Sequence, residues 1–417
     1  MKLPDALSPL GERAFRYLFL GRTIAVLGGS IASVALAFAV LDIGGSASAL
    51  GLVLAARMVP QILFILVGGV WADRLPRNRV MVGSDLVSGL MQAATAALVI
   101  TGRAEIWHLI ALQAVSGTAH AFFFPASTGI VPQTVPTHML QQANAVLRLS
   151  LNGTGIGGAA MAGVLVAGFG SGWALAIDAG TFFLSALFVS RIRLPSAAAR
   201  MQARNMIREL REGWDEFRSR TWLWAIVVQF GFVNAFGSGA WVVLGPVVSK
   251  AELGGAAAWG LILAGNGAGL MVGGLIALRI RPQRPLRVAT LAIFLMVPPY
   301  LLLAGGVSAV AIAAAAVVAG IGIELFSVFW DLSLQQHIPG DKLSRVSAYD
   351  ALGSFVFIPV GYAIMGPISE AIGIDPTLWL ASGVVVVATG LTLAVPDVRN
   401  LRRKDAVVDE AALAATP

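Results

Sequence analysis

The sequence predicts an all-α membrane protein with twelve transmembrane helices, arranged as two pseudo-symmetric six-helix bundles. Three observations lead to this fold class. Apolar residues make up 57% of the 417 residues and charged residues only 12%, whereas a soluble domain has about 25% charged residues. Twelve apolar stretches are long enough to cross the roughly 30 Å hydrocarbon core. A charged segment separates the first six stretches from the last six. This composition excludes a soluble multidomain protein and a disordered chain.

The twelve stretches are rich in Gly and Ala, the residues that allow helices to pack closely in a bilayer. No cleavable signal sequence is recognised in residues 1–16, so the first stretch is expected to stay in the protein. The predicted spans are 17–40, 50–72, 79–101, 106–130, 142–167, 172–190, 221–248, 257–279, 287–304, 308–333, 345–366 and 376–395.

The basic residues predict the orientation in the membrane. If both termini are cytoplasmic, all but three of the 29 Lys and Arg residues lie on the cytoplasmic side, the exceptions being Arg57, Arg103 and Lys250. This bias follows the positive-inside rule. The formal net charge of +7 is therefore read as a cytoplasmic collar and not as a nucleic-acid surface. A bacterial plasma (inner) membrane is the expected location. The absence of cysteine excludes disulfides and iron–sulfur clusters.

Four segments are predicted: a six-helix bundle at 1–190, a cytoplasmic linker at 191–220, a second six-helix bundle at 221–398 and a cytoplasmic tail at 399–417. In the linker, Ile207, Leu210, Trp214 and Phe217 recur at helical spacing, which predicts an amphipathic helix along the lipid headgroups. An offset of 203 residues aligns 136–140 with 339–343 and Gly117 with Gly320. This match favours an internal duplication, an architecture found in secondary transporters.

The segment GVWADRLPRNR at 69–79 lies between the second and third predicted helices. It resembles the signature of the major facilitator superfamily, with Pro76 and Asn78 at two positions where that signature has other residues. The phrase AARMVPQILFILVGGVWADR resembles the drug-efflux branch that includes macrolide-efflux proteins and the enterobactin exporter. The resemblance implies the major facilitator fold and a transporter rather than an enzyme.

The same resemblance implies a gate on the cytoplasmic side. Asp73 would accept hydrogen bonds from the N-terminus of helix 11, and Arg77 would pair with an acid such as Asp85. Asp350 would join this gate with Arg77 or Arg148. The alternative is a loop that only sets orientation. The predicted gate residues are Gly69, Asp73, Arg74, Arg77, Asp85, Arg148 and Asp350.

Other positions depart from the exporter pattern. Gln113 stands where many exporters carry Arg, and Ala159 stands where the fifth-helix motif has Pro. These departures leave the direction of transport open.

Ionisable residues inside the spans are the first candidates for function, because each is costly in the bilayer. The candidates selected are Arg57, Asp85, His120, Asp178, Glu324 and Asp350. In the superfamily, helices 4 and 10 line the central cavity, so Glu324 and His120 are the proton-coupling candidates. The alternatives are a permanent Glu324–Arg57 pair and a packing histidine. Asp178 is expected to be structural.

Aromatic and amide side chains are predicted to shape the substrate cavity, because rings offer apolar area and cation–π faces. Each alternatively faces lipid or packs between helices. The cavity candidates are Arg57, Gln113, Phe122, Phe123, Gln229, Asn234, Trp241, Asn266, Phe326 and Trp330.

Proton-driven efflux of a small lipophilic compound, cationic in some cases, by alternating access is the leading hypothesis. The alternative is proton-linked or facilitated uptake of a metabolite. A membrane enzyme or receptor is disfavoured because the longest segment outside the membrane has about thirty residues. No cofactor, metal or nucleic-acid partner is expected, and we expect a monomer.

Overall fold

The computed structural model describes residues 5–193, 206–339 and 342–404. These residues form twelve helices that are long and apolar enough to cross a membrane, as predicted. They are numbered here in chain order as helices 1–12: Arg13–Asp42, Ala47–Arg74, Arg77–Ile100, Ile106–Gly129, Leu140–Phe169, Ser171–Ser190, Thr221–Leu253, Ala256–Arg279, Pro285–Ala304, Ala309–His337, Leu343–Ile372 and Ile374–Ala394. Helix 7 contains two π-helical turns, Val233–Ser238 and Ser249–Leu253, and helix 11 is interrupted at Val356.

Local sequence explains several of the helix ends. The Ser46 side chain accepts a hydrogen bond from the backbone N–H of Ala49 at the start of helix 2, as an N-cap does. Helices 5 and 11 end at Gly170 and Gly373, whose φ angles of 85° and 94° favour glycine. These two glycines are separated by the 203-residue offset found in the sequence. The matching geometry supports the predicted duplication.

A linker helix, Met206–Arg218, precedes helix 7. Its Phe217 is buried and lies 6.1 Å from the ring of Tyr349 on helix 11. Glu216 accepts a hydrogen bond from Lys342 at 2.8 Å, and Glu212 accepts one from Arg345 at 2.9 Å. The side chains of Ile207 and Leu210 lie outside the described part. The linker helix is therefore attached to the start of helix 11.

Helices 1–6 contact helices 7–12 chiefly through helix 2 against helix 11 and helix 5 against helix 8. Glycines make these crossings close. A Cβ atom on Gly366 would meet the backbone of Ser48, and one on Gly163 would lie 3.0 Å from the Cα of Gly260. Small residues thus serve helix packing, as predicted.

The bundle has two ends, which we name the linker side and the far side. The linker side carries the linker helix and the start of helix 1. The far side carries the turns after helix 1 and helix 7. There, Lys250 donates a hydrogen bond to Asp42 at 2.7 Å, and the Ser48 N–H donates to Glu370 at 3.2 Å. These bonds and the close glycine crossings hold the far side closed.

Candidate functional site

Two adjoining cavities occupy the middle of the bundle. The first, of about 470 Å³, lies among helices 1, 2, 3, 4 and 6, and we call it the arginine lobe. The second, of about 620 Å³, lies among helices 1, 5, 8 and 10, and we call it the carboxylate lobe. Ser30 and Ser33 of helix 1 line both lobes. The carboxylate lobe lies on the linker side of the closed far-side contacts.

The arginine lobe is lined by four ionisable side chains: Arg22, Arg57, Asp85 and His120. Asp85 is 2% exposed and accepts a hydrogen bond from Ser185 of helix 6 at 2.7 Å. The His120 ring stacks on Phe123, with ring centroids 5.9 Å apart. Arg22 belonged to the basic collar in the sequence analysis, but the structure places it against this cavity.

A second acid, Asp178, lies behind the arginine lobe on helix 6. It is 1% exposed, and its carboxylate accepts hydrogen bonds from Thr181 at 3.2 Å and from Gln92. Gly28 of helix 1 leaves room for it, because a Cβ atom there would overlap this carboxylate and the Thr181 hydroxyl. Asp178 attracts the charge of Arg57. This arrangement is compatible with the structural role expected for Asp178.

The carboxylate lobe contains Glu324, which packs against Gly273 and Gly274 of helix 8. Seven residues further along helix 10, Asp331 acts electrostatically on Glu324 and is itself attracted by Arg148 of helix 5. Asp331 was not among the residues predicted from the sequence. The sequence could have indicated Asp331 through its seven-residue spacing from Glu324, which places both acids on one face of a helix.

His120 and Glu324 were both predicted to face the central cavity. The structure places His120 in the arginine lobe and Glu324 in the carboxylate lobe, on either side of Ser30 and Ser33. In the described structure no hydrogen bond or ion pair joins Arg57 to Glu324. The alternative of a permanent Arg57–Glu324 pair therefore finds no support in this conformation.

The predicted gate residues are spread along the linker side. Arg77 donates a hydrogen bond to the backbone carbonyl of Gly129. Asp350 accepts hydrogen bonds from Trp330 Nε1 at 3.0 Å and from Ser354 at 3.4 Å. Gly69, Arg74 and Arg148 are present on the expected helices, and the side chain of Asp73 lies outside the described part. The gating role stays a prediction.

The predicted cavity residues divide into two groups. Arg57, Phe123 and Asn266 each line a lobe, and Trp241 lines a small cavity of about 120 Å³ that also includes Asn266. The others lie chiefly in helix packing. Gln229 donates to Thr389 at 3.0 Å, and Asn234 donates to the Ser354 carbonyl at 2.8 Å.

Four more of these candidates also pack against neighbouring side chains or lie between helices. The Phe326 ring lies 4.2 Å from that of Phe230, and the Phe122 ring lies 6.0 Å from that of Trp71. Gln113 is 1% exposed, and Trp330 is buried beside Phe326.

Known efflux proteins are similar to this chain over almost its whole length. The chain is 22% identical to macrolide efflux protein A of Streptococcus pyogenes over 399 residues, which is 94% of this chain and 97% of the relative. It is 25% identical over 411 residues to the multidrug efflux pump Tap of Mycobacterium bovis, covering 93% and 94% of the two chains. Efflux proteins are thus among its full-length relatives.

Solved structures agree on the fold. The nucleoside transporter NupG superimposes with a TM-score of 0.72 at 13% identity, covering 91% of this chain and 98% of that one. A bacterial homologue of the human lysosomal transporter Spinster, in an inward-facing and unoccupied conformation, also superimposes with a TM-score of 0.72. It is 15% identical, and the match covers 97% of this chain and 100% of that one. The sequence profile of the Major Facilitator Superfamily matches residues 18–361. The chain is therefore a multi-pass membrane transporter, not an enzyme, and belongs to the Major Facilitator Superfamily.

Proposed function

We propose that this transporter exports a small lipophilic compound in exchange for protons, by alternating access across a bacterial plasma membrane. The observation that carries the proposal is the pair of adjoining cavities beneath a closed far side. Their walls combine apolar side chains with the ionisable groups Arg57, His120 and Glu324. A cavity of this kind suits a largely apolar ligand oriented by a few polar groups.

The charge distribution supports the proposed orientation in the membrane. The basic residues concentrate at the linker side, which by the positive-inside rule faces the cytoplasm. Both termini are then cytoplasmic, and the lobes are placed to receive substrate from the cytoplasm or the inner leaflet. The direction of transport is inferred from the named relatives, which are efflux proteins.

Glu324 is the proposed proton carrier. Its carboxyl group lies in the carboxylate lobe, and the described residues give it no hydrogen-bond or ion-pair partner. A carboxyl group within the membrane is expensive, so such residues commonly serve ion and proton pathways. His120 is the second candidate, because it lines the other lobe.

The test is transport of a radiolabelled macrolide into inverted membrane vesicles that carry an imposed pH gradient. We expect uptake into wild-type vesicles to rise with the gradient and to collapse when a protonophore is added. Glu324→Gln should abolish this dependence. Glu252→Gln, at an exposed far-side position, is the matched control and should behave as wild type. Gradient-dependent transport by Glu324→Gln would refute the role of Glu324.

Uptake of a small metabolite is the second candidate. Ala159, which replaces the proline of the exporter motif, lines the carboxylate lobe, so the departure lies at the cavity itself. Accumulation in intact cells separates the two functions. An exporter lowers the cellular content of its substrate relative to a deletion strain, whereas an importer raises it.

A further inference from the structure

Charges of opposite sign line the two adjoining lobes. Arg22 and Arg57 belong to the arginine lobe, and Glu324 belongs to the carboxylate lobe with Asp331 further along the same helix. The two lobes share Ser30 and Ser33 as lining residues. The lobes therefore adjoin at helix 1, and a ligand that extends past these two serines would reach both.

The arginine lobe retains binding capacity for an anion. In the described structure Arg57 makes no hydrogen bond or ion pair, and neither does Arg22. Two acids of the first six helices, Asp85 in the wall of the lobe and Asp178 on helix 6, accept hydrogen bonds from Ser185 and Thr181. Asp178 offsets part of the Arg57 charge from behind helix 1 but does not line the lobe. A planar guanidinium group facing a cavity suits a carboxylate or phosphate.

The carboxylate lobe retains capacity for a cation. Glu324 is partly buried, and its electrostatic neighbour on helix 10 is a second acid, Asp331. The remaining wall is largely apolar and includes Leu263, Leu270 and Met271. An amine placed beside Glu324 would donate a charge-assisted hydrogen bond in surroundings of low polarity.

We propose that the substrate is a zwitterion with an apolar body, whose acidic group binds Arg57 and Arg22 and whose amine binds Glu324. A ligand with both charges satisfies both lobes, whereas a singly charged ligand leaves one lobe with an uncompensated charge. This inference rests on the proposed function, because it names the substrate class of the same cavity.

The test uses four ligands with one rigid apolar body. They are 6-(aminomethyl)-2-naphthoic acid, its N-acetyl derivative, its methyl ester and the doubly blocked compound. At neutral pH the first ligand carries both charges, the N-acetyl derivative only the negative charge, the methyl ester only the positive charge and the doubly blocked compound no charge. Binding to the purified full chain in nanodiscs is measured by equilibrium dialysis without any gradient. We expect the zwitterion to bind about tenfold more tightly than either singly charged ligand.

Two substitutions assign the ends of the ligand. Arg57→Gln should remove the gain in affinity that the acidic group gives and keep the gain that the amine gives. Glu324→Gln should remove the gain from the amine and keep the gain from the acidic group. Arg57→Lys keeps the charge and should retain most of the preference. Arg103→Gln, in the exposed loop after helix 3, is the control. Circular dichroism and thermal melting verify that each variant is folded. If a variant does not fold, the comparison of the four ligands on the wild-type protein tests the zwitterion proposal.

Equal binding of the four ligands by the wild-type protein would overturn the proposal. So would an equal loss of affinity for all four ligands in folded Arg57→Gln. Because no gradient is used, the outcome is independent of proton coupling. If the ligands bind alike while a pH gradient still drives transport, only the zwitterion proposal fails. If the preference is found but no gradient drives transport, the proposed function fails alone.

Discussion

The carboxylate of Asp42 accepts a hydrogen bond from the ammonium group of Lys250 at 2.7 Å, which joins the end of helix 1 to the end of helix 7. Both side chains are substantially exposed, at 48% and 39%, so the pair contributes at most about 1 kcal/mol. The backbone contacts of Gly51 with Tyr362 and of Gly366 with Ser48 lie nearby. Close helix packing, more than this ion pair, therefore holds the far side closed.

A reversible cross-link at this ion pair should stop transport. The chain has no cysteine, so Asp42→Cys with Lys250→Cys creates a unique thiol pair. A short bifunctional methanethiosulfonate should lock the far side and abolish substrate transport in vesicles, and reduction should restore transport. Each single-cysteine variant treated in the same way is the control. Transport that continues through a fully cross-linked protein would contradict the alternating-access account.

Gly366→Val should hinder closure of the far side, because a Cβ atom at Gly366 overlaps the backbone of Ser48. Overpacking of this kind costs about 1–3 kcal/mol, which is enough to shift the population of conformations about fivefold or more. The measurement is labelling of Ser30→Cys, in the cavity, by a membrane-impermeant thiol reagent from the far side. Gly383→Ala, where a Cβ atom meets open space, should leave the labelling rate unchanged. An unchanged rate in Gly366→Val would show that this contact does not close the far side.

Ser185→Ala should destabilise the first six helices. It removes the hydroxyl group that donates to Asp85 at 2.7 Å and leaves a carboxyl group that is 2% exposed without this hydrogen bond. The expected loss is about 1–3 kcal/mol, read as a lower melting temperature in nanodiscs. Ser190→Ala, on the exposed end of the same helix, is the control. If Ser185→Ala melts as wild type does, this hydrogen bond does not stabilise the bundle.

Attachment of the linker helix should depend on pH through the carboxyl group of Glu216. Hydrogen bonds from Lys342 and Arg220 lower the pKa of Glu216 below its usual value, so its carboxylate stabilises the attached linker at neutral pH. This stabilisation should persist down to about pH 4.3, the ordinary pKa of glutamate, and be lost as the pH falls through the lowered pKa. Hydrogen exchange of Met206–Arg218 against pH measures it.

Glu216→Gln should lack this acidic transition and show faster exchange at neutral pH. Asp215→Asn, at the exposed neighbouring position, should keep the wild-type profile. Identical pH profiles for Glu216→Gln and wild type would mean that Lys342 and Arg220 do not hold the linker through Glu216.

The fold could be predicted from the sequence because its main determinants are local. About twenty apolar residues are enough to make a spanning helix, and all twelve predicted spans are confirmed. The 203-residue offset found in the sequence also separates Gly170 and Gly373, which the structure places at equivalent helix ends. The positions of the helix ends were predicted less accurately. Helix 10 was predicted to end at 333 but continues to His337, because its last turn is polar and its helical bonding does not depend on hydropathy.

The site was harder to predict, because a helix that is apolar on all sides carries little information about its rotation. Gln229 and Asn234 were assigned to the cavity, yet each bonds to a neighbouring helix of its own half. The partner of Asp85 proved to be Ser185, which is 100 residues away in the chain. Arg22 resembled part of the basic collar because it lies near the start of helix 1. Only the packed structure shows which of these groups share a lobe.

The most direct test of the central claim is proton release on substrate binding. Purified protein in weakly buffered solution with a pH-sensitive dye is mixed with 6-(aminomethyl)-2-naphthoic acid. We predict a lasting drop in pH with wild type that is absent with Glu324→Gln and present with Glu252→Gln. Proton release of wild-type size from Glu324→Gln, or none from a wild-type protein that binds the ligand, would contradict exchange of substrate and proton at Glu324.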